Sequence, residues 1–284
     1  MSKGTRAFRI IICCLLGITM LWTGLMSYAF IYVTKENEVL KGNERYGIYV
    51  AGIDVTRANA YDILGDGTVS YNHKSHTLTL ENADITCKGS VIYSEIDLTV
   101  ELIGENKFTC GGKELTYGLY ASDRSLRKDL AITGDGSLEI TVADNGCRGN
   151  AGIIAETLWL RADVSVILAD AEESSVGISC TYLNLDDEKN LAVKAGAAES
   201  STGIYAREGM CLDKDSAVIV LGAAAEKGSY GIECGGNITA KENAAIQSDS
   251  GSERAGIVCY GAFLDGGAHI QAEIEAIGGI YNMK

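Results

Sequence analysis

The stretch "STGIYAREG", residues 201–209, holds a phrase that the chain states seven times. Its centre, Gly203-Ile204-Tyr205-Ala206, returns as Gly118-Leu119-Tyr120-Ala121, Gly152-Ile153-Ile154-Ala155, Gly177-Ile178-Ser179-Cys180, Gly231-Ile232-Glu233-Cys234 and Gly256-Ile257-Val258-Cys259, and is cut short at Gly279-Ile280-Tyr281. Successive glycines lie mostly near 25 residues apart, a solenoid period. Within the unit that begins at Gly203, three short apolar runs, 204–206, 210–213 and 217–221, are separated by turns. Three strands per unit predict one coil of a right-handed parallel β-helix, each coil stacking on the last at the inter-strand spacing of ~4.8 Å.

Alternation along a strand then assigns the phrase. The aliphatic residue after each glycine points into the bore, as does the Ala or Cys two places later, and the residue between them points out. The glycine serves a corner where a side chain would clash or φ must be positive. In "SVIYSEIDLTVELIGENKFT", Val91 stands in the glycine's place and opens the first coil, so about seven coils run from there to the C-terminus. Residues 46–86 lack the unit and read as an N-terminal β cap: strands near 46–50, 69–71 and 77–80, with a turn at Gly65-Asp66-Gly67. Gly279-Ile280-Tyr281 reads as the start of a coil never completed, so the C-terminal edge is either covered by those few residues or open to a protein partner.

Composition agrees with an all-β, turn-rich chain: 34 Gly and no Pro among 284 residues, with 46% hydrophobic residues to fill a core. The net charge of −14 argues against nucleic acid or anionic lipid as partners. Lys3, Arg6 and Arg9 precede an uncharged, mostly apolar run from Ile10 to Val33. That pattern predicts a signal-anchor helix over residues 1–33, with 34–45 as a linker and the rest of the chain outside the cell membrane. The competing reading is a signal peptide cleaved after Ala29, since Ser27 and Ala29 are small residues where signal peptidase inspects the chain. Seven of the nine cysteines lie beyond this segment, and Cys180, Cys234 and Cys259 occupy the phrase's small inward position. They read as packed thiols, not a disulfide framework.

Residues 50–106 resemble the opening module of secreted, repeat-bearing Firmicutes proteins described as carbohydrate-binding domain-containing proteins. The likeness rests on Asn59-Ala60, Asp62, Leu64 through Val69, Tyr71, Leu78, Leu80 and Asn82, followed by Asp97-Leu98, Glu101, Gly104 and Asn106. It implies an extracellular right-handed parallel β-helix that binds polysaccharide, in some relatives with calcium, and it supplies no catalytic motif. The residues themselves carry little chemistry. A lyase or hydrolase would need a marked pair of carboxyls or a base. The one acidic run, Asp186-Asp187-Glu188, reads as a solvated turn, and His73, His76 and His269 lack the partners of a zinc site. No cofactor is expected; calcium is the ion the acidic surface suits, with Asp62 and Asp66 as its weak candidate ligands and turn formation as their competing role. Outward Tyr93, Tyr120 and Tyr205 are the candidate sugar-stacking residues, interrupted by Ile154 and Ser179. The expectation is a non-catalytic, surface-anchored polysaccharide-binding solenoid. Its alternatives are an adhesive or structural stalk that binds a protein and, behind it, a polysaccharide lyase or hydrolase.

Overall fold

The computed structural model describes residues 43–123, 126–143, 146–223, 225–252 and 255–283. The expected signal-anchor helix lies outside them, as does almost all of the expected linker. Among the described residues no helix is long and apolar enough to cross a membrane; every element is a strand, a turn or a bend. By its internal contacts the chain divides into one unit of residues 1–44 with Thr56–Ala58 and another of Arg45–Val55 with Asn59–Lys284. In the first, Arg57 pairs with Glu44 at 3.9 Å across two exposed side chains.

The second unit is a β-solenoid of about seven turns. Three parallel faces follow from the pairing. One face stacks Ile92–Ser94 on Leu115–Asp123, Cys147–Ile154 and the successive repeats up to Ile257–Cys259 and Ile274–Ala276. The next runs from Thr77–Glu81 and Leu98–Ile103 to Phe263–Asp265 and Ile280–Asn282. The third runs from Asp84–Lys88 and Glu105–Gly111 to Ala245–Asp249 and His269–Gln271. Parallel stacking therefore begins at Thr77, ahead of the Val91 start expected from the phrase. Two antiparallel strands finish the N-terminal side: Arg45–Val50 lies on Ile92–Ser94, and Val69–Asn72 forms a hairpin with Thr77–Glu81. They give the first coil the backbone partners that an end coil otherwise lacks.

The phrase packs as alternation requires. Leu119, Ile153, Ile178, Ile204, Ile232 and Ile257 are all buried, in register from coil to coil, and Val91 with Ile92 takes the same place in the first coil. Ala121, Ala155, Cys180, Ala206, Cys234 and Cys259 form a second buried stack. The glycine answers a clash, not a positive φ. A Cβ at Gly203 would fall 2.1 Å from Val220 Cγ1 and 2.6 Å from the Gly231 carbonyl oxygen, and Gly152 and Gly177 meet Val166 and Val193 in the same way. Glycine and the aliphatic residue after it both face inward at the corner, so one of them must be nearly without volume.

The last phrase is the exception. Ile257 stacks beneath Ile274, whereas Ile280 stacks on Phe263, on a different face. The final repeat is thus Glu273-Ile274-Glu275-Ala276, with glutamate in the glycine's place. Gly279, at φ 90°, is a turn glycine, not a notch for a neighbouring side chain.

Candidate functional site

The outward position of the phrase forms a straight row on the first face. Antiparallel pairing sets Tyr49 opposite Tyr93, parallel pairing sets Tyr93 beside Tyr120, and Tyr120 is followed by Ile154, Ser179 and Tyr205. Ring centroids are 5.7 Å apart for Tyr49 and Tyr93 and 5.6 Å for Tyr93 and Tyr120. Tyr117 joins them, stacked on Tyr120 at 4.8 Å. It can do so because Gly118 and Leu119 both turn inward, which leaves residues 117 and 120 on the same outer surface. The result is a strip of four tyrosines on one rigid sheet. Burial, with Glu95, Tyr120, Asp123 and Tyr49 nearby, raises the Tyr93 phenol above its ordinary value; burial, with Tyr120, does the same to Tyr117. These phenols are neutral hydrogen-bonding groups at neutral pH.

Tyr205 is not part of the strip. Three coil steps, roughly 14 Å, separate it from Tyr120, and the surface between them is closed by a hairpin. Leu126–Arg127 folds back antiparallel on Ser122 and Asp123, and the Arg127 guanidinium donates to Ser179 Oγ at 3.1 Å. Ser179 is consequently buried although it points out of the bore. Of the three tyrosines singled out in the sequence, the structure gathers Tyr93 and Tyr120, adds Tyr49 and Tyr117, and leaves Tyr205 apart.

Asp62 and Asp66 occupy one loop, and each is engaged by that loop. Asp62 Oδ1 accepts the amides of Gly65 and Gly67 at 2.8 and 3.0 Å, and Asp66 Oδ1 accepts the hydroxyl and amide of Thr68 at 2.7 and 3.0 Å. The Thr68 hydroxyl, then its amide, holds the Asp66 carboxyl below its usual range. Among the described residues no group of three His, Cys, Asp or Glu side chains is arranged to hold a metal ion. The acidic run is likewise spent locally: Asp186 pairs with Arg161 at 3.2 Å, Asp187 accepts the Lys214 amide at 3.0 Å, and Glu188 takes φ 60° in the turn. His73 stacks on Tyr46 with centroids 5.5 Å apart, and His76 sits in a turn at φ 52°.

Inside the bore lies a feature that the sequence reading missed. Thr116, Asn150, Ser175, Ser201 and Ser229 are all buried and stack in register two residues before successive repeat glycines. Ser175 and Ser201 hold the corner backbone: Ser175 Oγ accepts the Gly196 amide at 2.9 Å and Ser201 Oγ donates to the Gly196 carbonyl at 2.9 Å. Cys87, Cys180, Cys211, Cys234 and Cys259 are free thiols. Burial pushes Cys180 up to about 12. The neighbouring Cys234 thiol lowers Cys259, and Cys259 together with burial raises Cys234.

No protein-family profile, no curated protein and no solved structure matches this chain.

Proposed function

We propose that the protein is a non-catalytic carbohydrate-binding solenoid, wound right-handedly, held at the cell surface by an N-terminal membrane segment with the solenoid outside. The reading rests on one observation above the others: Tyr49, Tyr93, Tyr120 and Tyr117 lie ring beside ring on a flat, rigid face. Aromatic side chains on such a face offer apolar surface to the C–H side of a pyranose and phenol hydroxyls to its oxygens, with little ordering entropy left to lose. The resemblance of residues 50–106 to carbohydrate-binding modules points the same way. Calcium is not needed for this mode of contact.

An array of wall and host glycans probed with the full chain tests the reading. Binding to at least one neutral polysaccharide is expected, weakened roughly tenfold in the Tyr93→Ala, Tyr120→Ala double variant, about 1.4 kcal/mol, with the glycan recovered uncut. Absence of glycan binding, or release of new reducing ends, would overturn it. A second reading, a stalk that docks a protein partner, is favoured by the exposure of Ile277, Ile280 and Tyr281, at 67%, 56% and 57%.

A further inference from the structure

The four tyrosines of the strip on the first face lie ring beside ring, each within 5.7 Å of the next. The second face carries an aromatic side chain with no such neighbour. Trp159 lies between Leu158 and Leu160, both fully buried, so its indole points outward from the strand Thr157–Leu168. Pairing sets Ala131 on one side of it and Asn184 on the other. A methyl group and a short amide flank the half-buried indole, and among the described residues its N–H has no hydrogen-bond partner. The row continues through Thr99 below, and through Cys211, Thr239 and Leu264 above to Tyr281, the next ring in it, five coil steps from Trp159.

The surroundings supply polar groups in balanced pairs. Arg161, two residues along the same strand, pairs with Asp186 at 3.2 Å. Thr157, two residues the other way, lies in register with Tyr182, whose hydroxyl bonds to Glu208. The spacing of side chains along a strand makes this a patch roughly 13 Å long, centred on the ring. Its donors and acceptors are close together, and the cation at its edge is already neutralised. Such a patch suits a ligand with an apolar face, several adjacent hydroxyls and no net charge.

We propose that Trp159 is the stacking platform of a second carbohydrate subsite, on the second face, which takes a neutral pyranose with Asn184 and the Arg161–Asp186 pair as its hydrogen-bonding rim. The proposal rests on the reading of the protein as a carbohydrate binder and places a contact on a face where that reading does not require one. A uronic acid would meet the carboxylates of Asp186 and Glu208, and an amino sugar would have to compete with Arg161 for Asp186; a neutral hexose or N-acetylhexosamine meets neither obstacle.

The chain contains two tryptophans, Trp22 and Trp159, so the full-length Trp22→Phe protein reports on Trp159 alone by its emission. Titration with soluble gluco-, manno- and N-acetylglucosamine oligosaccharides is expected to shift that emission to shorter wavelength with at least one of them. Trp159→Ala is expected to weaken binding of that sugar roughly tenfold in a protein that is still folded at the assay temperature, and Trp159→Tyr to restore most of it, because the ring and not the indole nitrogen carries the stacking. A sugar bound with no change in emission, and equally by Trp159→Ala, overturns the subsite while leaving the carbohydrate reading in place. Binding confined to charged sugars overturns the neutral class, and binding of no sugar overturns both.

Discussion

A methyl group placed on Gly203 would occupy space already held by Val220 from the following strand and by the Gly231 carbonyl of the next coil. Each repeat glycine is a notch into which a neighbouring aliphatic side chain fits, and close packing leaves no slack to accommodate an extra carbon. Gly203→Ala is expected to cost about 1 to 3 kcal/mol, read as a lower denaturant midpoint. Val220→Ala in the same chain removes only the side-chain half of the clash, so partial recovery is expected; an unperturbed Gly203→Ala protein would show that the notch is not filled. The roles of Ile204 and Tyr205 were legible because alternation acts residue by residue. The glycine's reason was not, because a notch and a left-handed turn both select glycine and only the neighbours tell them apart. That ambiguity also misplaced Gly279, whose Gly-Ile-Tyr looks like the phrase but turns the chain onto another face.

At the scale of the strand, each position of the phrase becomes a stack. In the small inward stack, Cys180 lies between the alanine of the coil before, Ala155, and Ala206 of the coil after, with which it pairs. Burial holds its thiol neutral up to about 12, whereas an exposed thiol ionises near 9. The folded state therefore keeps a proton that the unfolded chain releases, and stability must fall as pH rises from about 9 towards 12, by up to about 1.4 kcal/mol per pH unit from this group. Thermal melts across that window are expected to show a shallower alkaline decline for Cys180→Ala than for the parent; equal slopes would mean that the thiol ionises freely in the folded protein. The polar stack Thr116, Asn150, Ser175, Ser201 and Ser229 was visible in the sequence at a constant offset from the glycine, but a search for apolar periodicity passes over buried hydroxyls. Tyr49 could not have been assigned to the aromatic strip from the repeat, because it arrives on an antiparallel strand from outside the repeat. Tyr117 was hidden by the inward glycine that breaks strict alternation.

For the whole molecule, the outer surface varies while the bore repeats, and this division is what lets one scaffold carry distinct patches on different faces. Nearest-neighbour stacking also means that damage to one coil spreads to those it touches. Hydrogen exchange on paired substitutions at Ile204 and Tyr205 tests this most directly. Ile204 is fully buried in register between Ile178 and Ile232, so Ile204→Asp puts a carboxylate into a dry stack at a cost of several kcal/mol, out of a typical total of about 5 to 15. Tyr205→Asp changes the outer surface and is expected to cost on the order of 1 kcal/mol. The expected result is fast amide exchange across the coils from Ile178 to Ile232 in Ile204→Asp, and near-parental protection throughout in Tyr205→Asp. Equal protection in the two variants, or loosening confined to residue 204 and its chain neighbours, would contradict the stacked-coil account.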